Sequence, residues 1–504
     1  MRKFFFFLLA ALLFPLQSVF SMSVAYVRPE ENFDSEVLLR KFGQAPEGNV
    51  SFSEFVYNRM SDNTLPVSVY VHFAGMGKEI YQRYGHTGLV LEYESGERIF
   101  FDWGNFNANK PNFVNDFVHG RLLYSLSVHT IDFWESYLAS EGRSSRFYKL
   151  RMSDSQKRDL QNFLFFNSRP ENLNYYYDFF KDNCSTRVRD VLNRVYEGKL
   201  YDDFSTIPQG TLRRAVERAV RPLPAVEFIY NFGQGPSQDV PISYYDAMFL
   251  PGYLEAGLKK FAIAELVPLS EGERMMYDRV VEIFDFLSLS YFPRVPGCHA
   301  NSLNPDEVGK RVPVGVIEDF KQGDYEVIYP ESVVEGVNLP PAKMLIYVIL
   351  AVLIAINFLS FALPDLAGRI FRALSLAAAC FVEFAFGILS LALIYFSSFT
   401  RHSMVYFNFN LIFANPLMFV LAYYSFRYAF EEEYESKHLK AIALEVALCV
   451  IAVVSKLFYR QENLYLILAF GLYFLSLAGS VLCKNADYAI DLRRWLKKSA
   501  FRFG

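Results

Sequence analysis

The sequence has few of the residues from which metal sites and disulfide frameworks are built. It contains 5 cysteines and 7 histidines in 504 residues, with no H-x-x-H or H-E-x-x-H spacing. Zinc enzymes commonly use such spacing to bring two imidazoles together, so we expect no metal and no other cofactor. The cysteines are spread over the whole chain and do not form a disulfide framework.

Excess positive charge is also lacking. The 50 Lys and Arg residues are balanced by 54 Asp and Glu residues, which gives a formal net charge of −4. The only basic cluster lies in the C-terminal tail, and the sequence shows no internal repeat and no low-complexity tract. Since nucleic-acid binding needs a basic surface, no nucleic-acid partner is expected.

Apolar residues, by contrast, are abundant. Hydrophobic residues make up 52% of the chain and 51 of them are Phe, whereas charged residues make up 21%. This is too apolar for one soluble protein and too charged for a pure transporter, so two regions of different character are expected. Residues 1–21 have a basic start, the run FFFFLLAALLF and a V-x-S step. This pattern predicts a signal peptide cleaved after Ser21, with an uncleaved anchor as the alternative.

Five apolar stretches in the C-terminal part are long enough to cross a membrane. They cover residues 344–363, 374–396, 409–428, 441–459 and 464–483. Lys and Arg residues are concentrated on one side of these spans: Arg369, Arg372, Arg427, Lys437, Lys440 and the tail 484–504. The opposite side carries Arg401, Lys456 and Arg460. The positive-inside rule therefore predicts a cytoplasmic tail and an exported segment from residue 22 to 343.

The exported segment shows the patterns of a mixed α+β domain. Alternation predicts a strand at 67–73 and a hairpin of 86–93 with 98–103, and helices are expected near 132–140 and 153–167, the latter opening with the capping box SDSQ. We assign residues 22–222 to this domain and 223–343 to an extension richer in Pro and Gly. Within the extension, residues 247–261 fit an interfacial helix or a core helix.

Cys184 is the candidate nucleophile. It follows Asp182 and Asn183, either of which is a suitable N-cap, and apolar residues then recur at helical spacing. The first turn of a helix favours a thiolate, and Arg187 adds a positive charge nearby. A structural buried cysteine, or a disulfide with Cys298, is the alternative.

His86 is the candidate general base, flanked by Gly85 and Gly88, which leave room beside the ring. His72, His119 and His129 compete for the role, with His72 expected to be structural. Asp102 or Asn105 is the candidate to orient the imidazole. An even, symmetric hairpin loop pairs residue 89 with 102 and favours Asn105, whereas a one-residue bulge favours Asp102. The Cys184 N–H and the Asn183 side chain are candidates for the oxyanion site, with support from Arg187.

The apolar half of the chain also contains ionisable residues at positions that need an explanation. Glu383 lies near the middle of the second span, where a carboxylate is costly, so it is expected to face the bundle interior. It either pairs with a polar group of another helix or contributes to lipid or substrate binding. Arg401 and His402 lie at the exported mouth, where they either attract phospholipid head groups or form a solvated loop.

These segments resemble a known family. The relevant stretches are YGHTGLVL, FDWGNFNANKPNFVNDFVHGRLLYSL, EGRSSRFYKL, LRMSDSQKRDLQNFL, YYYDFFKDNCSTRVRDVL and DVPISYYDAMFLPGYL, which span about residues 70–255. They are similar to the exported domain of bacterial lipoprotein N-acyltransferases of the Lnb type. The D-N-C-x-T-R motif is specific, whereas G-H-x-x-L alone is not.

The resemblance implies a circularly permuted papain-like domain, with histidine before cysteine, followed by a multi-span region in the bacterial inner membrane. This agrees with the all-α bundle of five transmembrane helices that the apolar stretches predict. The resemblance also implies that Cys184 is the nucleophile and His86 the base, and it favours Asp102 as the orienting residue. The implied reaction moves an acyl chain from a phospholipid onto Cys184 as a thioester and then onto the α-amine of a diacylglyceryl-cysteine lipoprotein.

Two other functions are compatible with the same sequence. A membrane-tethered cysteine peptidase or amidase acting on cell-wall peptides predicts that activity survives removal of residues 341–504. A non-enzymatic envelope protein predicts that Cys184→Ser and His86→Ala leave the function intact.

Overall fold

The computed structural model describes residues 64–106, 113–220, 223–276, 279, 298–299, 309–318, 342–363 and 365–485. The predicted signal peptide, the lead-in up to residue 63, much of the extension between 277 and 341, and nearly all of the basic tail lie outside the described residues.

A six-stranded antiparallel sheet organises the exported part. Its strands are β1 (Ser68–Ala74), β2 (His86–Glu92), β3 (Arg98–Asn105), β4 (Leu123–Thr130), β5 (Ser145–Lys149) and β6 (Asn174–Tyr176). Their order in the sheet is β5-β1-β2-β3-β4-β6. The central strands are buried on both faces, as their nearly continuous apolar sequences require. The strand and hairpin predicted from alternation are confirmed to within two residues.

Helices cover both faces of this sheet. In chain order they are α1 (Phe113–Val118), α2 (Ile131–Glu141), α3 (Asp154–Asn167), α4 (Cys184–Val195), α5 (Lys199–Phe204) and α6 (Leu212–Val220). The predicted capping box at the start of α3 is present, because the Ser153 side chain accepts from the Gln156 N–H and the Gln156 side chain returns to Ser153. The mixed α+β class is therefore what the structure shows, with α3 and α4 packed on one face and α2 on the other.

The register of the β2–β3 hairpin differs from the symmetric prediction. Leu89 pairs with Phe101 rather than with Asp102, because the connecting loop, residues 93–97, has an odd number of residues. Side chains alternate along a strand, so this shift of one residue exchanges the faces assigned to β3. Asp102 consequently shares the face of His86, which is the alternative predicted for one extra residue, and the even, symmetric loop that favoured Asn105 is not formed.

The core of the exported domain continues past the predicted boundary at residue 222. Further elements are α7 (Pro224–Gly233), α8 (Tyr244–Ala247) and α9 (Pro251–Leu258), with strands β7 (Pro208–Thr211), β8 (Pro241–Ser243), β9 (Ala262–Pro268), β10 (Cys298–His299) and β11 (Gly309–Gly315). Leu254, Leu258 and Phe261 are buried in the same cluster as the apolar face of α4. Of the two alternatives for residues 247–261, the core helix is the one observed.

Five long apolar helices form the C-terminal part. They are α10 (Ala342–Ala362), α11 (Asp365–Phe399), α12 (Leu417–Phe430), α13 (Glu435–Ser455) and α14 (Leu464–Asn485). By length and composition, 5 helical segments in the described residues are able to cross a membrane, in agreement with the predicted spans. The loops that follow α11 and α13 both contact the exported domain: the Asn408 amide donates to the Phe232 carbonyl, and Gln461 donates to the Gln234 carbonyl. These two loops are the ones that the charge distribution predicts on the exported side.

Candidate active site

Cys184 is the first residue of α4. Asn183 is the N-cap: its side chain accepts from the Thr186 N–H, and the Thr186 hydroxyl accepts from the Asn183 N–H in return. Of the two N-caps considered, the structure has Asn183. The sulfur therefore lies in the first turn, where backbone N–H groups have no intrahelical acceptor and the helix dipole is positive. Cys184 is a free, half-buried thiol, so no disulfide occupies it.

The start of α4 is held by residues far along the chain. The Asn183 side-chain amide donates to the Phe179 and Phe249 carbonyls at 2.8 and 2.9 Å, and the Ser185 hydroxyl donates to the Met248 carbonyl at 2.7 Å. Both amide hydrogens of Asn183 are thus used in positioning the helix, which leaves none for an oxyanion. The backbone N–H groups at the start of α4 remain as candidate oxyanion donors.

Arg187 forms an ion pair with a carboxylate. Its guanidinium forms a two-pronged ion pair with Asp182, with Nη2 at 2.8 Å from Oδ2, and lies over the Tyr175 ring at 4.2 Å. Asp182 neutralises most of its charge. Arg187 therefore stabilises the turn that leads into α4.

His86 joins Asp102 and Cys184. Its Nε2 lies 2.6 Å from Asp102 Oδ1, the imidazole is 13% exposed and the carboxylate 8% exposed. Burial disfavours the imidazolium, but the Asp102 carboxylate and the hydrogen-bonded Cys184 outweigh it and raise the pKa of His86 to about 10. Burial likewise raises the pKa of Asp102, and the charge of His86 more than compensates, so the net shift is downward. At neutral pH the raised pKa keeps the imidazole of His86 protonated, between the Asp102 carboxylate and the Cys184 sulfur.

Asn105 lies apart from this arrangement. Its side-chain amide donates to the Ser125 hydroxyl at 3.4 Å and is exposed at the end of β3. Of the two candidates for orienting His86, Asp102 is the one in contact with the imidazole. The Gly104 N–H in turn donates to Asp102 Oδ1 at 2.7 Å, which fixes the carboxylate.

Gly104 is a residue of the site that sequence reasoning missed. A Cβ at this position would lie 2.4 Å from His86 Cε1 and 2.9 Å from Asp102 Oδ1. The space beside the imidazole comes from this residue, whereas a Cβ on Gly88 would instead meet the Phe100 ring at 2.5 Å. The correct hairpin register would have revealed it, because extending that register places residue 104 opposite residue 86.

Gly104→Ala is expected to displace the imidazole from Cys184. Because catalytic geometry tolerates little misplacement, we expect a loss of roughly 100-fold in any reaction of the thiol that depends on His86. The rate of Cys184 alkylation by iodoacetamide at pH 7, followed by peptide mass spectrometry, measures the effect without a known substrate. Gly252→Ala is the matched control, since nothing lies within 4 Å of its added Cβ. Equal rates in both variants would contradict the role of Gly104.

The competing histidines have other partners. His72 is fully buried, its Nε2 lies 2.8 Å from the Ser145 hydroxyl, and burial holds its pKa well below the usual value. It is structural, as expected. The Nδ1 of His129 lies 3.4 Å from the carbonyl of the next residue, Thr130. The Nε2 of His119 lies 3.0 Å from the Tyr395 hydroxyl of α11. Among the residues that the structure describes, no hydrogen bond joins any of these three histidines to the thiol.

Aromatic side chains lead from the thiol toward the surface. Tyr124 and Tyr177 stack at 4.3 Å, Phe106 packs on Tyr124 at 4.9 Å, and Tyr81 packs on Phe106 at 5.9 Å. Burial raises the pKa values of Tyr124 and Tyr177, and Cys184 contributes to both shifts, which places these two rings near the sulfur. Tyr81, at the other end, is 60% exposed. We call Tyr81, Phe106, Tyr124 and Tyr177 the aromatic row.

The end of the sheet that carries His86 is also the end that contacts the membrane helices. The Arg401 N–H donates to the His119 carbonyl at 3.0 Å, and His402 Nε2 lies 2.8 Å from the Phe117 carbonyl. The Arg401 guanidinium lies 5.8 Å from the centre of the Tyr176 ring, at the end of β6. Arg401 and His402 therefore form part of a contact between the exported domain and the outer end of α11.

Glu383 lies inside the helix bundle with 0% exposure. Its Oε2 accepts from the Ser425 hydroxyl at 2.7 Å, and Ser425 also lies 2.9 Å from His438 Nε2. This agrees with the expected pairing to a polar group of another helix. Among the described residues, no group of three or more His, Cys, Asp or Glu side chains has a geometry that could hold a metal ion.

Comparison with known protein families gives a match to the exported part of the chain. No curated protein and no solved structure matches the chain. Together with the five apolar helices, the matching family supports a multi-pass membrane protein with a periplasmic domain. The similarity covers residues 56–218, which match the family described as the Lnb N-terminal periplasmic domain.

Proposed function

We propose that this protein is a membrane-anchored, thiol-dependent N-acyltransferase of the Lnb type. The proposed donor is a membrane phospholipid, and the proposed acceptor is the N-terminal α-amine of a diacylglyceryl-cysteine lipoprotein. The observation that carries the proposal is the contact of Cys184 with His86, which is itself bonded to Asp102, at the sheet end that meets the membrane helices.

The first half of the proposed reaction forms a thioester. The Cys184 thiolate attacks an ester carbonyl of the phospholipid, and the backbone N–H groups at the start of α4 stabilise the oxyanion. The glycerol oxygen then leaves and takes a proton from the His86 imidazolium. The products are a lysophospholipid and acylated Cys184. The raised pKa of His86 supports this step, because the proton needed by the leaving group is already in place at neutral pH.

The second half transfers the acyl chain to nitrogen. The lipoprotein α-amine attacks the thioester, neutral His86 accepts a proton from that amine, and the Cys184 thiolate leaves. Asp102 holds the imidazole in one orientation through both halves and stabilises its protonated form. An amide is formed, and the resting imidazolium and thiolate are restored. The sequence order, with His86 before Cys184, supports the proposed circularly permuted papain-like arrangement.

The surroundings of the thiol suit an acyl substrate. The aromatic row offers an apolar path from the surface at Tyr81 to the sulfur, on which a hydrocarbon chain can lie. The contacts of residues 117–119 with Tyr395 and His402 keep the site next to the outer ends of the spans. A donor in the outer leaflet would therefore reach the thiol without leaving the membrane surface.

Complementation of a bacterial strain that lacks lipoprotein N-acylation tests the proposal. The full chain is expressed in that strain, and the N-terminal peptide of an abundant lipoprotein is analysed by mass spectrometry. One additional acyl chain on the α-amine is expected. If the wild-type chain adds no third acyl group, the proposed reaction is wrong. A chain ending at residue 340 provides the contrast with a peptidase, which would keep its activity without the spans.

A further inference from the structure

Arg143 lies at the same end of the sheet as His86. Ala74, the last residue of β1, pairs with His86 of β2 on one side and with Ser145 of β5 on the other. Arg143 lies two residues before Ser145, where β5 begins. The Arg143 Nε donates to the Gly75 carbonyl at 3.0 Å. Adjacent strands lie roughly 5 Å apart, so the backbone of Arg143 is about two strand spacings from His86. A long side chain can span most of that distance.

The Arg143 guanidinium is buried, and one of its nitrogens, Nη2, makes no hydrogen bond. The residue is 3% exposed, and its Nη2 has no hydrogen-bond acceptor. No ion pair of Arg143 with a carboxylate occurs among the residues that the structure describes. A buried guanidinium normally has its N–H groups satisfied, because an unmade hydrogen bond of a charged group is costly. The structure thus has a charged donor beside the site and lacks its acceptor.

Its surroundings connect Arg143 with the thiol and with the aromatic row. Burial lowers the pKa of Arg143, while Tyr137, Glu141 and Cys184 act against that shift. Burial raises the pKa of Tyr81, and Arg143 acts against it. The guanidinium is therefore close enough to Cys184 and to Tyr81 to interact with both electrostatically.

We propose that Arg143 binds the phosphodiester of the lipid substrate through its unpaired Nη2. This inference rests on the proposed function, for which it names the anionic group that the site recognises. Guanidinium binds phosphate oxygens strongly, and a phosphate is separated from the ester carbonyl of a phospholipid by the glycerol. An anion site set apart from the sulfur suits that separation, while the N–H groups at the start of α4 serve the carbonyl. The acyl chain then lies along the aromatic row.

Lipid binding to the full-length Cys184→Ala protein tests this inference without turnover. The probes are dioleoylphosphatidylglycerol and dioleoylglycerol, which share their acyl chains and differ in the phosphate. Dissociation constants are measured by native mass spectrometry from detergent micelles. Arg143→Lys, made in this background, is expected to weaken phosphatidylglycerol binding about tenfold and to leave dioleoylglycerol binding unchanged, because lysine lacks the planar fork.

Arg169→Lys is the matched control. Arg169 is also buried, and its electrostatic neighbour is Glu171 rather than Cys184. It should leave the binding of both lipids unchanged. The inference is overturned if Arg143→Lys weakens both lipids equally or weakens neither. If Arg143→Lys does not yield a folded protein, Tyr137→Phe replaces it, since Tyr137 is a hydrogen-bond partner of the guanidinium, and a two- to threefold loss for phosphatidylglycerol alone is then expected.

The same lipids distinguish this inference from the proposed function. The chain with native Cys184 is incubated with dioleoylphosphatidylglycerol, and the mass of the peptide that contains Cys184 is measured. Absence of an oleoyl adduct, with lipoprotein N-acylation also absent in cells, would refute the transferase. The phosphate preference of the Cys184→Ala protein and its dependence on Arg143 are measured without turnover, so their outcome does not depend on whether the protein is a transferase.

Discussion

Cys184→Ala is expected to abolish acyl transfer in a strain that depends on this protein. The sulfur of Cys184 carries the acyl group in the proposed thioester. Its loss should therefore lower the rate of acyl transfer on the order of 10⁴-fold or more. Cys184→Ser should also be inactive, because the Asp102–His86 pair is protonated at neutral pH and is a poor base for a hydroxyl. Mass spectrometry of a lipoprotein N-terminus is the measurement.

Cys380→Ala is the control for this variant. Cys380 lies within α11 in the helix bundle, and its thiol faces the Ala422 carbonyl of α12 at 3.7 Å. Replacing it should leave acyl transfer close to the wild-type level. Protein levels in the membrane fraction are compared by immunoblot, so that a loss of protein is not mistaken for a loss of chemistry. Full transfer by Cys184→Ala at equal protein level would remove the thiol from the mechanism.

Asp102→Asn is expected to remove the positive charge of His86 at neutral pH. The carboxylate opposes the effect of burial and raises the pKa of the imidazole to about 10. Without it only Cys184 opposes the effect of burial, so the pKa of His86 should fall from about 10 toward or below its ordinary value of about 6.5. The imidazole then loses its proton at neutral pH, and the Cys184 thiolate loses its cationic partner. Acyl transfer should decrease roughly 100-fold or more.

The pH dependence of Cys184 alkylation measures this directly. In the wild type, the imidazolium persists as the pH rises until it titrates near pH 10, so alkylation is expected to be fast already at neutral pH, because a cation beside a thiol promotes its reaction. In Asp102→Asn the rise of the alkylation rate with pH should move to higher pH. Asn105→Ala is the matched control, since Asn105 bonds only weakly to Ser125 at 3.4 Å. A shift in Asn105→Ala that equals the shift in Asp102→Asn would contradict the assignment.

The elements around the nucleophile were predictable because their signals are local. Asn183, Cys184 and Thr186 lie within one helical turn, so the cap and the first turn follow from neighbouring residues. The α3 capping box and the apolar spans are of the same kind. Choosing between Asp102 and Asn105 required the pairing register of two strands, which a single odd loop residue reverses.

Other features depended on contacts that are distant in sequence. Gly104 matters through its approach to His86, and Arg143 through the sheet order that places β5 beside β1. Neither position carries a local pattern that distinguishes it from an ordinary glycine or arginine. The boundary predicted at residue 222 follows the change in composition there, whereas the packing of α9 against α4 continues beyond it.

The attachment of Asn183 and Ser185 to the Phe249 and Met248 carbonyls bears on how the exported half can be produced by itself. A fragment limited to residues 56–218 would remove both acceptors and strip Leu254, Leu258, Val316 and Ile317 from the interior. The smallest autonomous unit should therefore extend at least to residue 318, about a hundred positions beyond the stretch that similarity delineates.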